Sequence, residues 1–523
     1  MKRIRSIGVL LLTLVLLITS FSSVSNAEEN NPKKEKLIVG MEAAYPPFNW
    51  TQYNDSNGAV KIKDSEEYAN GYDVQMAKKI AESLGMELEI VKLEWDGLVP
   101  ALKSEVINSI IAGMSPTQER RLEVDFTNPY YKSDFVVIVN ENGKYSDAKS
   151  LEDFSGANIV AQLNTTNDDA VDQIPGVNHM VPMSDFSSMR VAVQSEKADG
   201  YVAEKPEGIS AEKAISNLKM IEPNPGFELP SDDISVSVGV KKGSDLVNDI
   251  NLVLENISQD EREEIMERMI EIQNLEEEEG NIFSRSLSIL KENYNTFIRG
   301  TLITLALSLV GTILGLVIGM IIGIIRTIPE QNSKVGNIIL KFFKALTTIY
   351  VQVLRGTPMM VQATLFYFGL HQISDINLNA LTAAFIVVSI NTGAYMAEVV
   401  RGGIYAIDKG QFEAAKSIGM NHFQTMTEII LPQTFRNIIP NVGNEFIVNI
   451  KDTSVLNVIA VNELFFVTKS IAGANFRYFE TYLVASFIYL ILTLTTAFLL
   501  GKLEKKLSGS DSYEISNVMK SAN

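Results

Sequence analysis

GTLITLALSLVGTILGLVIGMIIGII, residues 300–325, carries no charged side chain across its whole length. As a helix it rises about 39 Å, at ~1.5 Å per residue, which exceeds the ~30 Å hydrocarbon core of a bilayer. It also divides the chain chemically. Residues 28–285 hold 24 Lys+Arg against 49 Asp+Glu, whereas residues 286–523 hold 18 against 14. An acidic, water-compatible body therefore precedes a half built for lipid. Four further apolar stretches, 357–371, 378–400, 436–456 and 479–500, extend that half to about five expected spans. The 436–456 stretch is weakened by Asn441, Asn444, Glu445 and Lys451.

The chain opens MKRIRSIGVLLLTLVLLITSFSSVSNA, with Lys2, Arg3 and Arg5 ahead of an apolar run and a small-residue Ser25-Asn26-Ala27 site. This is the pattern of a secretory signal over 1–27, the alternative being an uncleaved anchor. Cysteine is absent from all 523 positions, which removes disulfides, thiolate metal sites and a cysteine-borne lipid anchor. From 36 to about 273, short apolar runs such as LIVGMEA and ELEIVKLEW alternate with amphipathic stretches such as GYDVQMAKKIAESLGM. Strands interleaved with helices predict an α/β body of two lobes, each with its own core. The acidic run and amphipathic stretch over 274–296 read as a solvated linker. The expected order is signal 1–27, outer domain 28–273, linker 274–296, membrane domain 297–502 and tail 503–523.

Basic residues set the expected orientation. The loops 326–356 and 401–436 and the tail hold thirteen Lys+Arg, against two, Lys469 and Arg477, in the loops 372–377 and 457–478. The positive-inside rule then puts the acidic domain outside the cell and the tail in the cytoplasm, in a multi-pass protein of the cell membrane.

One charged segment interrupts the apolar half on the expected cytoplasmic side: EAAKSIGMNHFQTMTEIILPQ, residues 413–433. Glu413, Ala414 and Ala415 are followed by Gly419, Ile429, Leu431 and Pro432. Ala414, Ala415 and Ile418 give a short helix a face that another protein can approach closely. Gly419 permits a turn, and Pro432 is expected to end the second helix. The pattern resembles the coupling loop of ABC importer permeases. Flanking runs, including VLRGTPMMVQATLFYFGL and NTGAYMAEVVRGGIYAIDKGQFEAAKSIG, resemble the polar amino acid branch of that family over nearly all of 290–500. No G-x-x-x-x-G-K-[ST] occurs, so the chain has no P-loop of its own. The resemblance implies a separate ABC ATPase in two copies that binds the ATP and Mg, no cofactor in this chain, and a homodimer around one pathway. Glu398, at the inner end of a span, is a functional candidate at that depth or an interface charge paired with Arg401.

The acidic domain resembles the extracytoplasmic binding proteins for polar amino acids, over about 36–272. A zwitterionic ligand needs a fixed cation and a fixed anion. The resemblance assigns the α-carboxylate to Arg120, whose planar fork suits it better than a lysine would, with Gly113 and Ser115 as helper donors. It assigns the ammonium to Glu204, a position where relatives often carry aspartate. Gln162 and Thr166 match ligand contacts, although Asn164 replaces a usual glycine. Tyr45 and Tyr72 match an aromatic clamp, and Glu42 would meet an amide or cation at the side-chain tip. The polar insertion over 51–70 carries no assigned role.

These matches imply a substrate-binding and membrane-spanning importer subunit for polar L-amino acids, glutamine first, with arginine, lysine or histidine also compatible. Lipid and ligand are the expected contacts, with no nucleic acid. Closure is expected about hinges near 135–139 and 234–238, after which the closed domain docks on its own permease. Fusion keeps receptor and permease at an effective concentration on the order of millimolar. A channel or signalling receptor using the same clamshell is the alternative. A secreted-type enzyme is a third, with only His179, His371 and His422 available as imidazoles and no ordered Ser/His/Asp grouping.

Overall fold

The computed structural model describes residues 35–52, 54–272, 281–330, 333–374 and 378–507. The expected signal 1–27 and the part of the tail beyond 507 lie outside the described residues. The α/β body has two lobes. In the first, the Lys36–Met41 strand pairs in parallel with Glu87–Lys92 on one side and Ser109–Ile110 on the other; the returning Ser235–Lys241 strand closes the sheet antiparallel, beside Val124–Lys132. In the second, Asn158–Val160 and Gly200–Glu204 pair in parallel, and Phe135–Asn140 lies antiparallel to the latter. Each lobe buries its own aliphatic layer, Leu37, Val39 and Ile90 in one and Val137, Ile159 and Val202 in the other. The expected hinges fall inside these sheets, so they are corrected: the chain changes lobe at Ser133–Asp134 and again after Ile221, the two crossings being tied where Ser133 N–H donates to Ile234 O at 3.0 Å.

The insertion over 51–70 is structured. Its strands Val60–Lys61 and Tyr68–Asn70 extend a small antiparallel sheet from Asn49–Gln52. The linker expectation also fails from Ile282 onward. Ile282–Glu292 is a helix capped by Asn281, its Ile289 is buried against Phe297, Leu464 and Val484, and Arg285 pairs with Glu480 at 2.9 Å.

Among the described residues, four helices in the second half are long and apolar enough to cross a membrane, five counting a bent pair. The direction of each follows from its contacts. Tyr294–Thr327 and Ala380–Tyr405 run side by side in the same sense, because Gly311, Gly315, Gly319 and Gly323 face Val388, Thr392, Met396 and Val400 in step. A Cβ at Gly315 would lie 2.6 Å from Thr392 and one at Gly323 2.7 Å from Val400, so only glycine allows this approach. Two parallel helices need a return crossing, and Lys334–Gly356 followed by Met359–Ser374 provides it. Tyr350 OH donates to Ile390 O, and Gln362 lies 2.9 Å from Asn391. Residues 334–356 are thus helix where a loop is expected. Their apolar positions Val335, Ile338, Phe342, Leu346, Ile349 and Val353 repeat with helical spacing between the lysines that masked it. Leu431–Asp452 runs back, Ile438 against Gly403 and Asn449 hydrogen-bonded to Thr312 and Thr392. Tyr478–Leu507 makes the fifth crossing, placing Leu500 beside Gly443.

With five crossings, residues 409–431 stand at the end of the bundle opposite the α/β body. Lys409–Ser417 is capped by Asp408, and Gly419 turns the chain at φ +83°, where a side chain is strained. Asn421 and Gln424 form a reciprocal cap on the next helix. The expected helix end at Pro432 is corrected: Pro432 sits in the first turn of Leu431–Asp452, and the helix continues through it. The wide π turn at Met426–Ile430 moves aside the carbonyl that a proline ring would strike.

Candidate functional site

Between the lobes lies a narrow cleft, and eight of the nine expected ligand residues line it: Glu42, Tyr45, Gly113, Ser115, Arg120, Gln162, Thr166 and Glu204. Lobe one contributes the first five from the ends of its strands, and lobe two the last three. Arg120 opens a short 3-10 turn, and its guanidinium crosses the cleft: Nη1 donates to Ser115 O at 2.8 Å and Nη2 to Asn164 O of the other lobe at 2.7 Å. It also lies over the Trp95 ring, 5.2 Å from the centroid. Burial lowers its pKa to about 10, with Asp169 and Asp233 opposing the shift, so it is a cation at neutral pH. Among the described residues no carboxylate lies within ion-pair distance of it. Asn164 takes φ +60°, a left-handed conformation that asparagine tolerates, which explains how it stands where the family resemblance leads one to expect glycine.

Glu204 is buried at the end of Gly200–Glu204 and at the N-cap of Lys205–Ala214. Its carboxylate accepts from Tyr45 OH and, at 3.3 Å, from Asn167 Nδ2; burial raises its pKa. Tyr45 stacks between Phe186 and Phe48, with ring centroids at 4.5 and 5.0 Å. Glu42 is buried where the Lys36–Met41 strand ends; burial pushes its carboxyl up to about 8, while Lys469 pulls it down. Ser115 and Thr166 both donate their hydroxyls to Asp233 O, at 3.0 and 3.1 Å.

Two expectations are corrected. Tyr72 is outside the cleft: it begins the Tyr72–Leu84 helix, is fully buried under Phe48, and its OH donates to Tyr130 O at 2.9 Å. It is a core residue one layer below the clamp. Gly113 lines the cleft, but its N–H donates to Tyr130 OH at 3.2 Å and is not a donor toward a ligand. Its φ of +65° and a Cβ position 2.9 Å from Tyr45 explain the glycine. The sequence reading missed Trp95, Asn167 and Phe186, which line the same cleft. Trp95, the large aromatic that ends the stretch ELEIVKLEW, offered the clearest signal.

In the membrane half, Glu398 is clamped by Arg326 and Arg401 together, the latter at 2.6 Å. At the far end, Ile418 and Phe423 are 75% and 74% exposed, while Ala415 packs inward.

Residues 37–271 match the bacterial extracellular solute-binding proteins, family 3, and residues 315–509 match the binding-protein-dependent transport system inner membrane component. The glutamine transport system permease protein GlnP of Escherichia coli (strain K12) is 39% identical over 160 residues, which cover 30% of this chain and 73% of that protein. The chain belongs to the polar amino acid ABC importers, as a solute-binding protein fused to its permease. To this family the arginine transport system permease protein ArtQ of Bacillus subtilis (strain 168) is a second relative, 36% identical over 166 residues, 32% of this chain and 76% of that protein. Among solved structures, the substrate-binding protein AbpA from Streptococcus pneumoniae, bound to L-arginine, is 21% identical and covers 46% of this chain and 97% of its own, with a TM-score of 0.39. As a family of transporter components it is not one of enzymes, and it does not favour the channel alternative. Its permease domain and the apolar helices make this chain a multi-pass membrane protein.

Proposed function

We propose that the chain captures L-glutamine, ahead of arginine, outside the cell and passes it inward through a pathway built by two copies, driven by two copies of a separate ATPase. The observation that carries the reading is the cleft: a cation, Arg120, and an anion, Glu204, stand on opposite lobes, so a zwitterion satisfies both only when the lobes close on it. Glu42, held largely protonated at neutral pH by burial, faces the side-chain tip, which suits a neutral amide better than a guanidinium. Two relatives carry names from glutamine and arginine transport, which keeps arginine as the competitor. ATP and magnesium are held by the partner, which docks on the exposed Ile418 and Phe423. The segment 409–431 then faces the cytoplasm with the C-terminal tail, and the α/β body faces outward.

Titration calorimetry of the full chain in lipid nanodiscs tests the assignment. Glutamine binds with an affinity that is flat between pH 6 and 8. Any arginine binding strengthens up to about tenfold per pH unit over that window, because it requires Glu42 ionised. Arginine binding that is tighter than glutamine's and independent of pH overturns the choice of cargo. Accumulation of an amino acid by the reconstituted chain without an ATPase overturns the role of the partner.

A further inference from the structure

One permease lysine to which the transport reading gives no role reaches into the binding half. Lys469 stands on the Leu464–Asn475 helix, which follows the fourth crossing and lies against the α/β body. Its ammonium pairs with Glu94 of the first lobe and lies 3.4 Å from Asp185 of the second, with its side chain only 15% exposed. Glu42 lines the same small cavity as Lys469 and Glu94, and also lines the ligand cleft. One turn further along the same helix face, a Cβ at Gly473 would touch Ala44 of the first lobe at 3.2 Å and Ser187 of the second at 3.7 Å. The helix therefore straddles the seam where the lobes meet.

The rest of the junction is divided between the lobes. The first lobe is held through Lys92 to Ser470, Arg299 to Glu66 at 3.4 Å, and Asn462 Nδ2 to Asp64 O at 3.2 Å. Asp64 and Glu66 belong to the 51–70 insertion, which thus gains a role as the seat of the first lobe. On the second lobe, Arg190 lies over Phe476 at 4.4 Å. A desolvated ammonium is stable only when its carboxylates are in place. Opening the cleft carries Asp185 away from Glu94, so an open domain offers Lys469 half its partners.

We propose that Lys469 reads closure: the Leu464–Asn475 helix binds the closed domain better than the open one, and by reciprocity the docked permease tightens amino acid binding. This rests on the ligand site proposed above. Tested in the full-length chain in nanodiscs with L-glutamine and L-arginine as probes, Lys469→Gln weakens binding about 5- to 20-fold. Asp185→Asn, which keeps a side chain able to cap the Phe186–Gln194 helix, causes a loss of similar size, and the double variant loses no more than either single one. Gly473→Leu, which wedges the helix off both lobes without touching a charge, weakens binding in the same direction. Wild-type affinity in Lys469→Gln, or losses that multiply in the double variant, overturns the inference and leaves the ligand site standing. Failure of the unmodified chain to bind either amino acid removes the site itself and this inference with it.

Discussion

Replacing Arg120 tests the ligand site most directly. A guanidinium has five N–H donors. Two are committed, to Ser115 O at 2.8 Å and Asn164 O at 2.7 Å, which leaves three for a carboxylate. Arg120→Lys keeps the charge but loses the fork, so at least one charge-assisted bond to the ligand disappears. At about 1.5–3 kcal/mol for such a bond, affinity falls roughly 10- to 150-fold. Arg120→Ala removes two such bonds and the charge, about 3–6 kcal/mol, for a loss of at least a hundredfold. It also removes the bridge to Asn164, so part of the loss reflects a less closed apo state. Calorimetry in nanodiscs reads the affinity, and circular dichroism confirms that the fold is kept. Arg120→Ala binding within threefold of the unmodified chain would falsify the carboxylate role, because no other cation lines the cleft among the described residues.

Burial raises Glu42 to about 8 and Asp73 to about 7, so between pH 5 and 8 these two groups bind more protons in the folded chain than in the unfolded one. The stability these groups contribute is complete below ordinary carboxylate values and is lost as pH rises through 7 and 8; a thermal midpoint that rises from pH 5.5 to 8.5 contradicts this. Gly319→Leu pushes a side chain into Met396 and Ala397, where a Cβ already lies 2.8 Å from Ala397 N, and destabilises the membrane half by about 1–3 kcal/mol or more. Gly402→Leu, in open space on the neighbouring helix, is the control, and equal heat resistance of the two variants by size-exclusion chromatography refutes the packing argument. Compared with Gly419→Ala, which bears the same backbone strain at φ +83°, Gly419→Trp leaves amino acid binding within about twofold but abolishes uptake in cells, since its neighbourhood is open and only a docking partner would meet the indole. Normal uptake by that variant dismisses the coupling role.

What the sequence disclosed depended on whether a residue's role is set locally. Arg120 was legible through the family resemblance, because a planar fork for a carboxylate is a need written into residue type, whereas Asn164 stood out only as a departure from glycine and its left-handed φ came from the structure. Tyr72 was not, because an aromatic beside a clamp looks the same whether it faces the cleft or supports it from below. Only the phase of the Tyr72–Leu84 helix and the intervening Phe48 decide that. The helix at Lys334–Gly356 was hidden for a different reason. Its lysines lower the mean hydropathy of a stretch whose apolar residues nevertheless keep one face, so composition conceals what the helical periodicity carries.

Lys469 marks the limit of such reading. In the sequence it is one of two basic residues in segments expected outside, which is a statement about topology and nothing more. Its partners Glu94 and Asp185 lie 375 and 284 positions upstream, one in each lobe, and nothing in the spacing of the three predicts their meeting. The glycines at 311, 315, 319 and 323 are the converse case. Their four-residue spacing was open to view, and a helix partner for them follows from it, because a stripe of glycine in an apolar helix is useful only where another backbone comes close. That partner's parallel direction required coordinates. The direction matters, since it makes Lys334–Ser374 the return crossing and so places the 409–431 segment at the end of the bundle remote from the ligand cleft. On the proposed transport reading, a signal that begins with lobe closure at Arg120 and Glu204 has to cross the whole apolar layer to reach Gly419, and the Leu464–Asn475 helix touches both lobes and, through the buried Glu463 at its cap, the Tyr294–Thr327 and Tyr478–Leu507 helices.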